Sequence, residues 1–301
     1  MSLPLDRDGQ LPDAELLPLF PLDLVLFPGV ALPLHIFEQR YRLMVKQCLE
    51  SGRPFGVIRM TPSGLADVGT IAEIREATRY VDGRWDLVTF GTKRFSVVRM
   101  HRDAPYLRAE ITVLEEPVGD ADEAAALAER VSAGFIDYLD LLRGSGQDGE
   151  EDPDDNEEGG EEDEVTPEAI DEALTEDGGP ELSEEIVAEI ERLLVASNAT
   201  GGPTRIVDAD DDESDEDDED GELLETAIDR LTGSDDPVGL SHVVGGVVQL
   251  TGDQRQELLS APDAAARLAL LVRHLQRENL LLAEGVRPWS ADARALAERR
   301  N

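Results

Sequence analysis

Apolar positions in the first third of the chain fall in short runs cut by proline and then alternate with charge. The chain reads Leu-Pro-Leu-Phe-Pro-Leu at 17–22, Leu-Phe-Pro-Gly at 26–29 and Leu-Pro-Leu-His-Ile-Phe-Glu-Gln-Arg-Tyr-Arg at 32–42. Pro18, Pro21, Pro28 and Pro33 each remove an amide donor and clash with a preceding helical turn. Pieces too short for a helix remain, and extended strands with fixed bends are expected. Tyr41, Val45, Cys48 and Leu49 then recur at helical spacing, which predicts a helix over 38–50 closed by Ser51-Gly52. Residues 54–60 predict a short apolar strand, 69–81 an alternating one, and Asp82-Gly83 a hairpin turn. Two separate strands are expected at 86–89 and 95–100, around Gly91-Thr92-Lys93-Arg94, and a last one at 106–114. Gly29, Gly69 and Gly91 are expected at bends or close backbone approaches. Six or more short strands with one early helix predict a small, curved, mostly antiparallel barrel.

The period changes after residue 119. Ala124, Leu127, Val131, Phe135, Tyr138 and Leu142 fall on one side of a helix expected over 120–143. Residues 144–164 and 208–220 are Gly, Asp and Glu with almost no apolar content, and are expected to be disordered. Short helical patterns start at Thr166-Pro167 and at Ser183. Helical spacing resumes over 222–231, 237–250 and 253–282, with Leu268, Leu271, Val272, Leu275 and Leu282 as a stripe. The expected plan is α+β: a loose segment at 1–15, a β-rich unit at 16–118, a first helix at 119–143, an acidic insertion with short helices at 144–221, a helical bundle at 222–284 and a tail at 285–301.

Charge sharpens this division. The 301 residues carry a net charge of −40, but the 75 positions from Asp148 to Glu222 hold 34 acidic residues against two arginines. Elsewhere 33 acidic residues face 25 basic ones, a balance of −8. A salt-adapted protein would spread its acid over the whole surface. Nucleic-acid binding is disfavoured by net charge, because phosphate contacts need clustered Lys and Arg. The single cysteine, Cys48, excludes an intramolecular disulfide and a cysteine-based zinc site. With no signal peptide and no 18-residue apolar run, a cytoplasmic protein that does not enter a membrane is expected.

Candidate chemistry is sparse. The only lysines, Lys46 and Lys93, follow Val45 and Thr92, so no P-loop can form. Gly144 to Gly149 fits G-x-G-x-x-G, but it follows a helix and enters an acidic run that would repel a pyrophosphate. Asp208, Asp210, Asp212 and Glu219 have the spacing of an EF-hand loop, yet Glu213 stands where glycine makes the sharp turn. His35, His101, His242 and His274 show no ligand spacing. No metal, cofactor or catalytic residue is expected.

As a set, the motifs resemble the N-terminal, substrate-binding domain of the Lon protease family, above all its stand-alone version. The residues that carry the resemblance are the proline-bounded opening at 17–33, His35 to Arg42 (with Gln39 where proline is usual), Val68-Gly69-Thr70-Ile71-Ala72, Gly91 to Phe95, Pro105 to Ala109, Asp236-Pro237 and 254–278. It covers roughly residues 16–143 and 222–283; the acidic insertion has no counterpart. The resemblance implies a PUA-like antiparallel β pseudo-barrel followed by a helical bundle. It also implies a non-catalytic module, without the AAA+ motor or Ser-Lys protease domain, that holds polypeptide segments or a protein partner in protein quality control. Phe27, Phe37 and Tyr41 are candidates for an apolar gripping patch, with core packing as the competing role. His35, Glu38, Arg40 and Arg94 belong to the family signature, and Glu38 and Arg40 are expected to pair and lock the fold. The alternative is an RNA-associated PUA-like module. Arg75, Arg79, Arg84, Arg94, Arg99, Arg102 and Arg108 would then form a basic face, with the insertion as an autoinhibitory mimic of nucleic acid. An ATP-dependent peptidase lacks its required parts. Oligomeric state is left open.

Overall fold

A computed structural model describes residues 16–144, 204–208 and 236–285. In chain order the elements are β1 (Leu17–Leu22), β2 (Ala31–Ile36), α1 (Gln39–Ser51), β3 (Phe55–Thr61), β4 (Gly64–Leu65), β5 (Val68–Arg79), β6 (Trp85–His101), β7 (Leu107–Val113), α2 (Ala121–Gly144), β8 (Arg205–Asp208), α3 (Pro237–Val247), α4 (Gly252–Leu259) and α5 (Ala264–Ala283). The expected α+β architecture is present.

Five strands close into a ring. β6 pairs with β7, β7 with β1, β1 with β3, β3 with β5, and β5 returns to β6. All of these pairs are antiparallel except β1–β3. Phe95 sits at the centre of the ring with Leu19, Ile58, Ile71 and Ile111. Its ring fits because Gly69 faces it: a Cβ there would lie 2.7 Å from the Phe95 ring and 2.5 Å from the Val57 carbonyl.

Beyond the ring the sheet continues. β2 pairs with the first half of β6, and β8 runs parallel to the second half of β5, with Arg205 opposite Glu76 and Asp208 opposite Arg79. The sequence reading held no strand at 205–208. Four residues flanked by Gly-Gly-Pro and an acid run show no alternation long enough to be recognised.

Two strands were expected where β6 is one. Gly91 does not end the strand; it lets β6 pass against the β1–β2 connection, where a Cβ would stand 2.2 Å from the Phe27 carbonyl oxygen. The Gly29 amide donates to the Gly91 carbonyl there and the Gly91 amide to the Val30 carbonyl, and Gly29 takes φ +79°, a bend that glycine adopts freely. A register shift between Ile71 and Ala72 absorbs the extra residue, Thr92, as a bulge, so the strand turns from one part of the sheet into the other.

The helices follow their patterns closely. α1 ends at Gly52 in the left-handed conformation, whose amide reaches back to the carbonyls of Cys48 and Leu49. The whole expected stripe of α2, from Ala124 to Leu142, is buried and packs against α5. Each such Leu, Val or Phe contributes roughly 1.5–3 kcal/mol of apolar burial. The single helix expected over 253–282 is two. Pro262 cannot donate within a helix, and Asp263 starts α5 afresh by accepting the Ala266 amide at 2.8 Å. α4 opens with a capping box between Thr251 and Gln254. The patterns at 166–194 and 222–231, the disorder expected at 145–164 and 209–220, and all of the G-x-G-x-x-G motif but Gly144 lie outside the described residues. So does the EF-hand spacing beyond Asp208. Gly144 and Asp208, also expected to be disordered, instead end α2 and β8. No described helix is long and apolar enough to cross a membrane.

Candidate polypeptide-binding groove

α1 carries two stripes. Tyr41, Met44, Val45 and Cys48 are buried in the core. The opposite stripe, Gln39, Arg42, Leu43, Lys46, Leu49 and Glu50, faces an open groove of about 640 Å³. The far wall is the tip of the β5–β6 hairpin, through Arg79, Gly83 and Trp85, and Phe37 stands at one end. Phe37 is 63% exposed and Leu43 38%, unusual values for large apolar side chains that share one concavity.

Local chemistry holds the walls in place. The Arg42 guanidinium lies against Gly83 and donates to the Asp82 carbonyl at 2.9 Å, tying α1 to the hairpin turn. The Arg79 guanidinium lies 5.7 Å from the centre of the Trp85 ring. On the other face of the hairpin, Asp86 gathers His35 Nδ1 at 2.5 Å and the Tyr80 hydroxyl at 2.5 Å, and the His35 ring stacks on Phe37. His35 and Asp86 are direct cross-strand partners of β2 and β6, so this contact pins the end of β2 that leads into Phe37.

A second polar cluster lies between the barrel and the helices. Arg94 is 2% exposed. Its guanidinium donates to Glu116 Oε1 at 2.6 Å and Oε2 at 3.0 Å, and to the carbonyls of Leu259 and Ala261 at 2.7 Å each. Those carbonyls belong to the C-terminal end of α4, where a cation is favoured. Glu116 also accepts from Arg267 at 3.2 Å and meets His242 Nε2 at 3.1 Å. Burial pushes the Glu116 carboxyl up, but His242 and Arg94 outweigh it and hold it at about 2. Burial drives His242 down to about 4 against the pull of Glu116, so it is neutral at pH 7. Its Nδ1 is buried without a partner among the described residues, which opposes a second proton. This cluster joins two layers.

The predicted site residues separate into four groups. Phe27 is fully buried, packed beside Gly91 and under Gly245 of α3, and offers no surface to a client. Tyr41 is almost fully buried and meets Phe20 edge-on at 4.4 Å, so it too packs the core. Phe37 alone of the three is exposed, and it stands at the groove. Glu38 and Arg40 form an exposed pair at 2.8 Å, with the Arg40 guanidinium over the Tyr41 ring. Arg94 belongs to the interlayer joint. The sequence reading missed Leu43, Trp85, Arg42 and Lys46; Leu43 and Leu49 lie one position from the buried stripe and are easily taken as its continuation. Of the seven arginines considered as a basic face, five meet a carboxylate: Arg75 with Glu73, Arg84 with Asp82, Arg94 with Glu116, Arg99 with Glu110 and Arg108 with Asp103. Burial pushes the Cys48 thiol up to about 12, well away from a nucleophilic thiolate. Among the described residues no three His, Cys, Asp or Glu side chains gather as a metal site.

Comparison with known proteins agrees with this architecture. The Lon protease of Parabacteroides distasonis is 32% identical over 115 residues, 35% of this chain and 14% of that protein. Lon protease 2 of Myxococcus xanthus is 32% identical over 138 residues, 42% of this chain and 17% of that protein. The chain therefore spans less than a fifth of the length of these relatives. Among solved structures, the N-terminal domain of the Mycobacterium avium complex Lon protease superposes with a TM-score of 0.50 at 18% identity, covering 87% of this chain and 98% of that one. The Lon N-terminal domain protein of Xanthomonas campestris gives 0.45 at 23% identity, covering 86% and 98%. The family profile of the ATP-dependent protease La (LON) substrate-binding domain matches residues 16–277. With that match spanning most of its length, this chain belongs to the LON substrate-binding domain family.

Proposed function

We propose that the chain is a non-catalytic holder of polypeptide segments that works in protein quality control, and that the groove between α1 and the β5–β6 hairpin is its grip. The observation that carries this reading is the exposure of Phe37 and Leu43 at one open concavity. A monomer that leaves large apolar groups together in a cleft forfeits burial free energy unless something covers them. The family name supports a substrate-binding role. A buried cysteine fits a reducing compartment, which supports a cytoplasmic setting. Glu116 and His242, both strongly displaced in pKa, stand in the interlayer joint rather than in the groove, and the Cys48 thiol, pushed further still, is buried in the core, so the groove offers recognition without an acid–base pair.

Light scattering of a chemically denatured client, diluted into buffer with rising amounts of the chain, tests this. The native chain is expected to suppress aggregation, and Phe37→Ser combined with Leu43→Ser to lose most of that effect with an unchanged melting temperature. No suppression by the native chain, or equal suppression by the variant, would refute the assignment.

A further inference from the structure

The charge of the groove specifies which polypeptides it takes, an inference that rests on the polypeptide-holding reading above. The chain as a whole has 67 acidic and 27 basic residues. Against that background Arg42, Lys46 and Arg79 converge on one groove, with Glu50 as its single lining carboxylate. Lys46 is one of only two lysines in the chain.

These cations are also held differently from their neighbours. Arg40, Arg84, Arg99 and Arg108 each meet a carboxylate within 4 Å. Arg42 instead donates to a backbone carbonyl, and Arg79 lies over an aromatic ring; among the described residues neither has a carboxylate partner. Lys46 meets Glu50 at 3.7 Å, about as long a contact as Arg99 makes with Glu110, but both side chains of the pair are about two-thirds exposed, so water screens it. Three cations thus face one lining carboxylate, and beyond the lining the Asp82 carboxyl, held down chiefly by Arg84, also feels Arg42, so the groove keeps an excess of positive charge. Arg42 and Lys46 stand one helical turn apart on α1 and face the groove together, so they can meet two carboxylates of one segment. Phe37, Leu43 and Trp85 supply apolar contact beside them.

We propose that the groove takes an acidic amphipathic segment of a second polypeptide. Its apolar side chains cover Phe37, Leu43 and Trp85, and its carboxylates pair with Arg42, Lys46 and Arg79. Three exposed ion pairs of this kind together make about a tenfold preference over an uncharged segment, and salt weakens it.

The test is fluorescence anisotropy with the full chain and three labelled 14-residue peptides. All carry the same Leu and Phe at helical spacing, with Glu, Gln or Lys at every other position. The Glu peptide is expected to bind about tenfold more tightly than the Gln peptide, and the Lys peptide more weakly than either. The preference should shrink severalfold between 50 and 500 mM salt. Arg42→Gln, Lys46→Gln and Arg79→Gln together should abolish it, bringing the Glu and Gln peptides to equal affinity. Because Arg42 also ties down the hairpin turn, Lys46→Gln alone provides a second variant, with an expected loss of two- to threefold. Equal affinity for the three peptides would overturn the inference and leave polypeptide holding intact. Binding of none of them, with no suppression of client aggregation, would overturn both. Tighter binding of a 12-nucleotide single-stranded RNA, displaced by the Glu peptide, would make the groove a nucleic-acid site and refute the proposal. A rise in Glu-peptide affinity on Asp210→Asn, Asp211→Asn and Asp212→Asn would identify the chain's own acid run as the occupant, against a partner in trans.

Discussion

Truncating Arg94 to alanine should loosen the helices from the barrel. The guanidinium makes four bonds of 3.0 Å or less, two to Glu116 and two to the carbonyls of Leu259 and Ala261. Hydrogen bonds to charged groups contribute about 1.5–3 kcal/mol each, but such bonds are not additive within one network. Removing one partner of a buried pair costs about 3–5 kcal/mol as a whole. Glu116 keeps His242 and Arg267, which offsets part of its loss, while the two carbonyls keep nothing in place of Arg94. About 4 kcal/mol is expected, a large part of the 5–15 kcal/mol that stabilises a domain. With a denaturant slope of about 2 kcal/mol per molar, the urea midpoint should fall by about 2 M. Arg94→Lys retains the charge but cannot reach carboxylate and carbonyls together, and should lose about half as much. Fluorescence-detected urea unfolding at pH 7 measures both. An alanine midpoint within about 0.3 M of the native one, or a lysine variant equal to native, would refute the view that the fork of donors joins the layers.

Three further outcomes are expected. His242 has a folded pKa of about 4 against its ordinary 6.5, so between these values the unfolded chain binds a proton that the folded chain refuses. Stability should fall by up to about 3 kcal/mol as pH drops from 6.5 to 4 and then level off in this component, and His242→Gln should remove that fall in urea midpoints taken at pH 7, 5.5 and 4. Glu116, held at about 2, stabilises the fold above its ordinary value of 4.5 and gives that stability up as pH falls through 2; a native midpoint that rises on acidification would contradict both signs. Gly91→Ala pushes a methyl carbon to 2.2 Å from the Phe27 carbonyl oxygen and should cost about 3 kcal/mol in thermal or urea unfolding, with a neutral result disproving the close approach. Phe37→Ser should change stability by less than about 0.5 kcal/mol, because the ring is already wet, yet weaken client peptide binding by about fivefold or more in anisotropy titrations.

Much of the fold was legible because proline, glycine and helical period act locally. The stripe from Ala124 to Leu142 and the stop at Gly52 needed no tertiary information. The joining of 86–89 and 95–100 into one strand did, because whether Gly91 ends a strand or lets another backbone pass depends on Phe27, more than sixty residues away. The break at Pro262 was readable and was overrun by a strong leucine pattern on both sides. Strand β8 takes its stability from Glu76 to Arg79, so its own four residues carry little sign of it. The site was less legible than the fold. Phe27 and Phe37 have similar sequence surroundings, an apolar run beside a bend, and only packing separates a core ring from a surface one. Arg94 was recognisable as part of a signature, whereas its role depends on two carbonyls about 165 positions downstream.

Strand β6 begins at Trp85 in the groove wall and reaches Arg94 in the interlayer joint without leaving the sheet. The proposed receptor face therefore stands on a continuous pleated beam whose middle is bolted to the helices, and it is shaped before any visitor arrives. Ordering on association then falls almost wholly on the incoming chain. A stiff or preformed visitor should stay longer than a floppy one of the same composition.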